Sequence, residues 1–577
     1  MNHPSRSTAA GRARFAVRGT IAKGDIMNFS RGGALTALAL LVALGCGGSD
    51  AAPLAADSGT PEGETVVIDL PDGGKAESPP PPPPIEVGGT APPEGVFVSA
   101  SKGAPGNDGA QRRPLKTLAD AIALAKQKKM PVIACAETYP EAVTLSDGVT
   151  MFGYFDCANL EEWKRITTRA VIESPTSPAV LVEGMSLITR FEGFEVRGPD
   201  LTSPGSADVV AQTSYAMIIR GSSNLWMDEV TLRGGKGQDG VDGVQPAPNQ
   251  ERNDLATRSG RSAGGQGAAC VGELCFNHAS TTGSAGGTSQ CLIAPNGGAG
   301  GRGGDGPFFR NGFLVAAVTT AQATGRAAPK NTPTAVGGAG GASAATPTAL
   351  GQDGTPGPTG NLGENGGWSV NEDGIAPGNG TAGTNGQPGQ GGGGGGGGHY
   401  WYTESYGSGA VASTAPLYGL YGAGGGAGGC GGVAGTPGTG GGGSVGLFIV
   451  SSTAIKIAHS RIESGKGGRA GVGALGTPGL GGGFSGRGRY DDGGDLRPKN
   501  VYGLGGGNGG NGGAAGMSGN GSPGPSLALV YNGSRVAIDQ ATTGIFVGQP
   551  GDGVPATTSA GKTRPAVVGV AKQEHSF

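Results

Sequence analysis

The sequence predicts an all-β protein in which short strands stack into successive coils, and three observations lead to this prediction. A block of roughly twenty residues recurs along the chain, which is the mark of a repeat architecture. Short runs of β-forming residues, separated by turn residues, follow one another from Val96 onward. One amphipathic helical pattern, at residues 115–128, precedes most of these runs.

The internal repeat decides the fold class. Residues 214–237 read SYAMIIRGSSNLWMDEVTLRGGKG and residues 444–467 read SVGLFIVSSTAIKIAHSRIESGKG, in register without a gap, and looser copies begin at Ser177 and Ser526. Each unit holds three short strands and ends in a glycine-containing turn. One such unit cannot bury its own apolar face, whereas stacked units can. The pattern therefore predicts a right-handed parallel β-helix with one coil per unit.

Residues 94–233 are predicted to form the amino-terminal part of this β-helix. In the helical pattern, Leu115, Leu118 and Ile122 recur at the spacing of one helix face. We expect this helix to cap the amino-terminal end of the stack, because uncovered edge strands pair readily with other chains.

Two long glycine-rich insertions, at residues 234–443 and 464–525, interrupt the repeats. Both leave after the third strand of a unit, so we expect them to emerge at one corner of the coil. The coil at 444–463 and the terminal coil at 526–548 should then stack directly on their neighbours. Residues 549–577 are predicted to be a disordered tail.

Glycine accounts for 123 of the 577 residues, and most of it lies in these insertions. Ordering a glycine instead of an alanine costs about 0.5–1 kcal/mol in backbone entropy, and few apolar side chains offset that cost. One alternative is disorder. The other is packed polyglycine II-like chains, because GGNGGNGG repeats in threes. We expect the insertions to be partly disordered.

Residues 1–45 have the features of an upstream segment followed by an export signal. An apolar run at residues 34–44 follows Arg31 and ends at Gly45-Cys46. This run is too short to span a bilayer. A start at Met27 would leave a signal of conventional length.

The ending Ala-Leu-Gly-Cys at 43–46 resembles the lipobox of bacterial lipoproteins, which implies that Cys46 is diacylated. The alternative is an ordinary secretory signal with Cys46 as a disulfide partner. In Gram-negative lipoproteins, a Gly such as Gly47 after the cysteine implies transfer to the outer membrane, with the protein facing the periplasm or the cell surface. Residues 46–93 contain a proline run and are predicted to be an extended tether.

The other six cysteines are an even number for an oxidising compartment. We predict a disulfide between Cys135 and Cys157, which lie in well-patterned sequence. The pairing of the remaining four is left open, and no metal site is expected among them: Cys270, Cys275, Cys291 and Cys430.

Residues 96–237 resemble the uncharacterised family of pectate-lyase-like β-helix proteins of bacterial envelopes. The resemblance rests on GNDG at 106–109, PLKTLADAIALA at 114–125, AETYPEAVTLSDGVTMFGYFDC at 136–157 and Trp-Lys-Arg at 163–165. It implies a fold and almost nothing about activity. The insertions also resemble the glycine-rich surface repeats of mycobacterial PGRS proteins.

Four aromatic residues are candidate ligand-binding residues: Trp226 in the repeat, and Tyr400, Trp401 and Tyr402 in the first insertion. The last three belong to an aromatic-rich stretch, HYWYTESYG at 399–407. Such rings suit stacking on sugars, but docking of the insertion onto the β-helix is the favoured explanation.

Calcium is a weak possibility, because residues 234–242 match the GGxGxDxUx pattern of calcium-binding β-rolls. No tandem copy follows, so no cofactor is predicted.

A Ca²⁺-dependent polysaccharide lyase is the enzymatic alternative. It needs carboxylates and a basic residue, which Asp228, Glu229, Arg220, Arg233 and Lys236 supply by type. Asp228 and Glu229 are neighbours on a predicted strand and should point to opposite faces, which argues against joint chelation. No catalytic residue is predicted.

The functional expectation is a surface-anchored lipoprotein with a structural, adhesive or polysaccharide-binding role, without catalysis. Its partners would be a membrane, through the lipid, and envelope or matrix polysaccharide. The formal net charge of −3 argues against nucleic acid. The sequence does not indicate an oligomeric state.

Overall fold

The computed structural model describes thirteen stretches of the chain: residues 86–92, 94–202, 210–262, 269–271, 274–276, 283–292, 299–302, 308–310, 313–316, 326–328, 350–403, 414–491 and 501–577. Cys46, the export signal, the start at Met27 and most of the tether lie outside them. Within these stretches, no helix is both long and apolar enough to cross a membrane.

The protein is all-β, and its main body consists of three parallel sheets, here called the three-sheet stack. Sheet 1 contains β1 (Val96–Val98), β2 (Val132–Cys135), β5 (Met151–Asp156), β9 (Thr189–Glu192), β12 (Leu225–Asp228), β23 (Lys456–Ala458) and β28 (Ala537–Ile538), with β6 (Lys164–Arg165) antiparallel to β5. Sheet 2 contains β3 (Thr138–Tyr139), β7 (Ala170–Glu173), β10 (Phe194–Arg197), β13 (Thr231–Arg233), β24 (Arg461–Glu463) and β29 (Gly544–Phe546). Sheet 3 contains β4 (Val143–Leu145), β8 (Val180–Glu183), β11 (Ser214–Arg220), β22 (Ser444–Val450), β27 (Ser526–Tyr531) and β32 (Ala571–Ser576).

From β7 onward, the chain visits these sheets in a fixed rotation, so each repeat unit contributes one strand to each sheet. Ser214 pairs with Ser444, Trp226 with Lys456 and Thr231 with Arg461. These pairs follow the ungapped alignment of the two best repeats. The predicted register and the direct stacking of units across both insertions are therefore confirmed.

Inward-facing side chains of the three sheets form one apolar interior. Alternate strand residues point inward, and those of β9 and β12 include Phe191, Leu225 and Met227, all buried. Phe191 stacks on Phe194 of β10 with a 4.6 Å centroid separation. The helix α1 (Leu118–Lys128) buries Leu118, Ala121, Ile122 and Ala125 against this interior at its amino-terminal end.

The outer faces of sheets 2 and 3 are occupied by other parts of the chain or by ion pairs. On sheet 2, Arg233 lies 3.4 Å from Glu195 and 3.2 Å from Glu463 on the neighbouring strands. On sheet 3, Tyr215 and Phe448 contact Ile375 of a hairpin in the first insertion, β18 (Ser369–Asn371) and β19 (Gly374–Ala376). This hairpin docks the insertion onto the stack.

The insertions contain extended segments, here called the glycine legs, that bond to one another through their backbones. They are residues 234–262, 283–292, 299–302, 350–367, 377–397, 421–443, 464–488 and 503–525, and the first of them includes the short helix α2 (Leu255–Arg258). Inter-leg hydrogen bonds recur at every third residue: Gly351 donates to Gly505, Gly354 to Asn508, Gly357 to Asn511 and Gly360 to Ala514. The described part of the insertions therefore follows the polyglycine II-like alternative, and the expected disorder does not hold for it.

The legs pack too closely for side chains at their inner glycines. Gly429 donates to Gly510, Gly510 to Gln390, and Gly389 to Gly429, so three legs close a ring of backbone hydrogen bonds. A β-carbon added at Gly512 would lie 1.9 Å from the carbonyl oxygen of Cys430. Glycine raises the entropic cost of ordering the legs, but it also permits their close packing. The sequence analysis considered only the cost.

At the end away from the three-sheet stack, the legs are joined by four hairpins, here called the far hairpins. They are β14 (Ala269–Val271) with β15 (Leu274–Phe276), β16 (Phe308–Arg310) with β17 (Phe313–Ala316), β20 (Gly398–Thr403) with β21 (Thr414–Leu420), and β25 (Arg489–Asp491) with β26 (Val501–Gly503).

The prediction that residues 549–577 form a disordered tail is wrong. They contain a hairpin, β30 (Thr557–Ser559) with β31 (Lys562–Arg564), and then β32, which pairs in parallel with β27. The hairpin leaves sheet 2 and the chain returns on sheet 3, as in both insertions. The sequence of β32 is polar, so no strand was predicted there. An outermost strand can have such a sequence because it pairs through its backbone and buries few side chains.

Among the described residues, two disulfides stabilise these regions. The predicted bridge between Cys135 and Cys157 is present in the stack. A second bridge joins Cys291 to Cys430, on different glycine legs. Cys270 and Cys275 lie directly opposite each other in β14 and β15.

Candidate functional site

The groups on the outer face of sheet 1 differ between its amino-terminal end and its later strands. At its amino-terminal end the segment 157–165 covers it, with Trp163 fully buried and edge-on to Phe97 at 5.0 Å. This aromatic contact lies beside the disulfide of Cys135 and Cys157. Farther along, at β9, β12 and β23, the face carries polar and aromatic side chains instead.

Trp226 lies at the centre of this part of the face, which is the candidate site. Its neighbours in register are Arg190 on β9 and Lys456 on β23. The Lys456 Nζ lies 4.6 Å from the centroid of the Trp226 ring, and the Arg190 guanidinium lies 6.0 Å from it. Both distances allow cation–π attraction, so two cations bracket a half-buried indole.

A buried carboxyl group lies beside this row. Glu192 forms a 2.6 Å ion pair with Arg190 and accepts a 3.4 Å hydrogen bond from the Tyr154 hydroxyl. Burial raises the pKa of Glu192 above its ordinary value; Arg190 opposes the shift and Asp228 adds to it. Burial also raises the pKa of Tyr154, over whose ring the Arg165 guanidinium lies at 4.4 Å.

Asp228 and Glu229 lie on the same side of the molecule, which corrects the expectation that they point to opposite faces. β12 ends at Asp228, and Glu229 follows it with a left-handed φ of 49°, so strand alternation no longer applies. Asp228 pairs with the imidazole of His459 at 2.8 Å, and Glu229 pairs with Arg165 at 2.6 Å. The hydrogen bond to Asp228 raises the pKa of His459.

The three basic residues considered for lyase chemistry lie elsewhere. Arg220, on sheet 3, donates to the backbone of Asp373 in the docked hairpin. Arg233 belongs to the ion pairs of sheet 2. Lys236 lies on the first glycine leg and pairs with Asp239 at 2.8 Å.

The segment that matched the β-roll pattern is part of a glycine leg. Besides Lys236, Asp239 accepts a hydrogen bond from the backbone N–H of Arg469. Asp242 pairs with the Arg469 guanidinium at 2.7 Å. Both carboxylates thus join neighbouring legs through basic partners.

Tyr400, Trp401 and Tyr402 lie in β20, far from Trp226 along the legs. Strands β20 and β21 contact β26, and β21 also contacts β17; these strands belong to the other far hairpins. The docking role that we favoured for this stretch is performed by residues 368–376, where Trp368 packs edge-on against His575 at 5.5 Å.

The site combines an aromatic ring, cations and hydrogen-bonding groups along neighbouring strands about 4.8 Å apart. Lys456 is exposed and pairs with no carboxylate among the described residues. Sequence reasoning found Trp226 but missed Arg165, Arg190 and Glu192. The alignment of the two best repeats already placed Lys456 beside Trp226. The copy that begins at Ser177 has one additional residue before β9, so its ungapped alignment puts Thr189 and not Arg190 opposite Trp226. Nothing in the repeats indicated Arg165, which ends the covering segment.

No family model matches this chain, and no curated protein or solved structure matches it either.

Proposed function

We propose that the protein is a surface-anchored lipoprotein that binds an anionic polysaccharide, without altering it, on the outer face of sheet 1. The observation that carries this proposal is Trp226 held between Arg190 and Lys456. An indole ring offers an apolar face to a sugar ring, and adjacent polar groups bond its hydroxyls.

The ion pairing of the site favours an acidic sugar. Arg190, Arg165 and His459 each have a carboxylate partner within the protein. Lys456 has none in the described part of the chain, and its exposed ammonium group is placed to meet a carboxylate of the ligand. Uronate polymers are the substrate class with both a pyranose face and a repeated carboxylate.

The anchoring half of the proposal rests on the lipobox-like sequence before Cys46 and on the proline-rich tether after it. Multiple acyl chains on one cysteine give stable membrane attachment, whereas one chain does not. Replacing Cys46 with Ser should release the protein from the outer-membrane fraction and abolish labelling by a palmitate analogue. Labelling of the Cys46→Ser variant would contradict this assignment.

We further propose that sheets 1 to 3 are the faces of a right-handed parallel β-helix whose amino-terminal end α1 caps. The fixed rotation among the sheets supports this fold, because each turn of a β-helix adds one strand to each face. An experimentally determined structure with a left-handed winding would contradict it.

Binding to polygalacturonate and alginate, measured by isothermal titration calorimetry on the full chain, tests the function. Trp226→Ala should weaken binding roughly tenfold or more, a loss of about 1.4 kcal/mol. Lys456→Gln should weaken it less and reduce its dependence on salt. Lys116→Gln, an exposed lysine at the other end of the stack, is the matched control. If the unaltered protein binds neither polymer, the proposal is wrong.

A polysaccharide lyase is the second candidate, because Asp228, Glu229 and Glu192 prove to be neighbours. A lyase would use such carboxylates to hold Ca²⁺ against a uronate and a basic residue to remove the α-proton. Incubation with the same polymers, with and without Ca²⁺, distinguishes the two functions. Accumulation of an unsaturated uronide that is lost in Asp228→Asn would establish the lyase.

A further inference from the structure

The hairpin formed by β30 and β31 packs against the glycine legs through its two basic residues. The Lys562 ammonium group donates a 2.6 Å hydrogen bond to the carbonyl of Gly360. The Arg564 side chain is only 1% exposed, and its Nη1 atom donates to the carbonyls of Gly473 and Ser518 on two other legs. The Arg564 guanidinium group is therefore buried among legs that offer it neutral backbone carbonyls.

The charge of Arg564 has no counter-ion within ion-pair distance among the residues that the structure describes. Burial lowers the pKa of Arg564, and no charged residue of the described chain contributes to the shift. The guanidinium group nevertheless stays protonated, because its ordinary pKa lies above about 12. Arg469, another arginine of the legs, instead has Asp242 as a partner at 2.7 Å. Arg564 thus carries a buried positive charge that the described part of the protein does not neutralise.

Two buried hydrogen-bond donors near this charge lack an acceptor in the described part of the chain. They are the Nε atom of Arg564 and the Nδ2 atom of Asn520, a fully buried side chain. The Asn520 Oδ1 atom accepts from the N–H of Gly473, the residue whose carbonyl accepts from Arg564. Asn365 joins the same two segments, because it accepts from the Asn520 N–H and donates to the carbonyl of Pro565. The two donors therefore belong to one cluster.

We propose that this cluster, centred on Arg564 and Asn520, binds a small monovalent inorganic anion such as chloride. A buried charge without a partner is costly, and a bound anion both neutralises it and accepts hydrogen bonds from free donors. One uncompensated positive charge matches one negative charge. The packing favours a small ion over an organic acid, since a β-carbon added at Gly473 would lie 2.3 Å from the Ser518 carbonyl oxygen.

The anion would fasten the hairpin of β30 and β31 to the legs. Since β32 follows this hairpin directly, the ion would also help to hold the last strand of sheet 3 in place. The cluster shares no residue with the outer face of sheet 1. The inference is therefore independent of polysaccharide binding.

Thermal unfolding of the full chain in chloride, with isethionate replacing it at constant ionic strength, tests the site. A ligand that binds only the folded state raises the unfolding midpoint as its concentration rises. We expect a rise of at least about 2 °C between about 1 mM and about 100 mM chloride. Bromide should substitute for chloride, and the protein should broaden the chloride NMR line.

Asn520→Asp is the sharpest variant, because it places a carboxylate in the cluster without changing the size of the side chain. This carboxylate should pair with Arg564 in place of the anion, so the midpoint should rise in isethionate and no longer respond to chloride. Asn511→Asp is the matched control. Asn511 accepts from the N–H of Gly482 on a neighbouring leg but is exposed, so this variant should keep the response. Arg564→Met should lose the response and unfold at a lower temperature.

Two results would overturn the inference. If chloride changes neither the midpoint of the unaltered protein nor its own NMR line, the two free donors bind water and not an anion. If the response to chloride persists in Asn520→Asp or in Arg564→Met, the ion binds elsewhere. Should one of these variants fail to fold, the other decides. Loss of polyuronate binding is not expected in any of them.

Discussion

The three-sheet stack and the glycine legs are two regions of one chain that are held together by opposite means. In the stack, apolar side chains such as Phe191, Ile219 and Leu447 fill a continuous interior. In the legs, the buried residues are mostly glycines, and neighbouring chains touch through their backbones. The stack is therefore stabilised by burial of apolar side chains. The legs are stabilised by backbone contacts that are possible only because glycine has no side chain.

This difference shows that a regular backbone can order a sequence with few apolar residues. Burial of apolar area contributes about 25 cal/mol per Å², which the legs obtain only sparsely. Their backbone N–H groups instead find carbonyl partners on adjacent legs at every third residue, and each such bond contributes about 1 kcal/mol net. Ser, Thr and Asn side chains add further bonds, such as that from the Gly473 N–H to Asn520 Oδ1.

Removal of each of these two disulfides is expected to give the largest change in stability. Each bridge restricts the unfolded chain, and the restriction grows with the length of the closed loop. The separations are 139 residues for Cys291–Cys430 and 22 for Cys135–Cys157. Replacing the two cysteines of one bridge with Ala should therefore lower the free energy of unfolding. We expect a loss of about 5 kcal/mol for Cys291–Cys430 and about 3 kcal/mol for Cys135–Cys157. Urea unfolding measures both, and a larger loss for the stack bridge would contradict the chain-entropy explanation.

Phe191→Ala tests the apolar interior of the stack. The Phe191 side chain is fully buried and stacked on Phe194, so its removal leaves a cavity. We expect a loss of about 3–5 kcal/mol in the free energy of unfolding. Leu187→Ala is the control: this side chain is 60% exposed, and its loss should change stability by less than about 0.5 kcal/mol. Similar effects of the two changes would mean that this interior contributes little.

A pair of glycine substitutions tests the legs. Gly512→Ala places a methyl group 1.9 Å from the Cys430 carbonyl oxygen, so neighbouring legs must separate. We expect a loss of about 1–3 kcal/mol. In Gly481→Ala, the nearest atom is 3.8 Å away, and stability should be unchanged or slightly higher. Equal thermal unfolding of the two variants would show that close packing of the legs is not what stabilises them.

The smallest expected effect concerns the His459–Asp228 pair, which joins two coils at the candidate site. Because the folded-state pKa of His459 is raised above 6.5, its stabilisation is present below pH 6.5 and is lost as the pH rises through the folded value. The side chain is 59% exposed, which limits the contribution to less than about 1 kcal/mol. His459→Asn, which tolerates the φ of 43°, should remove this pH dependence from urea unfolding. If the variant keeps the same pH dependence, another group is responsible.

Much of the three-sheet stack could be predicted because the alignment of its repeated residues implies the strand register. The alignment of 214–237 with 444–467 implied the pairing of every strand in those two coils, across the first insertion. It also implied that both insertions leave at one corner. The contact of Trp226 with Lys456 follows from the same register, whereas Arg190 lies beside Trp226 only because the preceding coil has one additional residue before β9.

The rest of the site depends on contacts that leave no periodic pattern. Arg165 reaches Glu229 because the segment 157–165 folds back over sheet 1. Glu229 joins Asp228 on one side because of a single left-handed residue at the end of β12. Likewise, the bond of Cys291 to Cys430 depends on which legs are neighbours, and three pairings of the last four cysteines were compatible with the sequence.

The sequence by itself determined the all-β class, the order of the coils, the bridge between Cys135 and Cys157 and the places where the insertions leave. Repeated apolar residues carry that information, because each must face a shared interior. Only the tertiary structure decided that the described glycine segments pack as ordered legs, that residues 368–376 dock them, and that the far hairpins meet. Those arrangements depend on backbone groups, which are alike at every glycine and therefore do not identify their partners in the sequence.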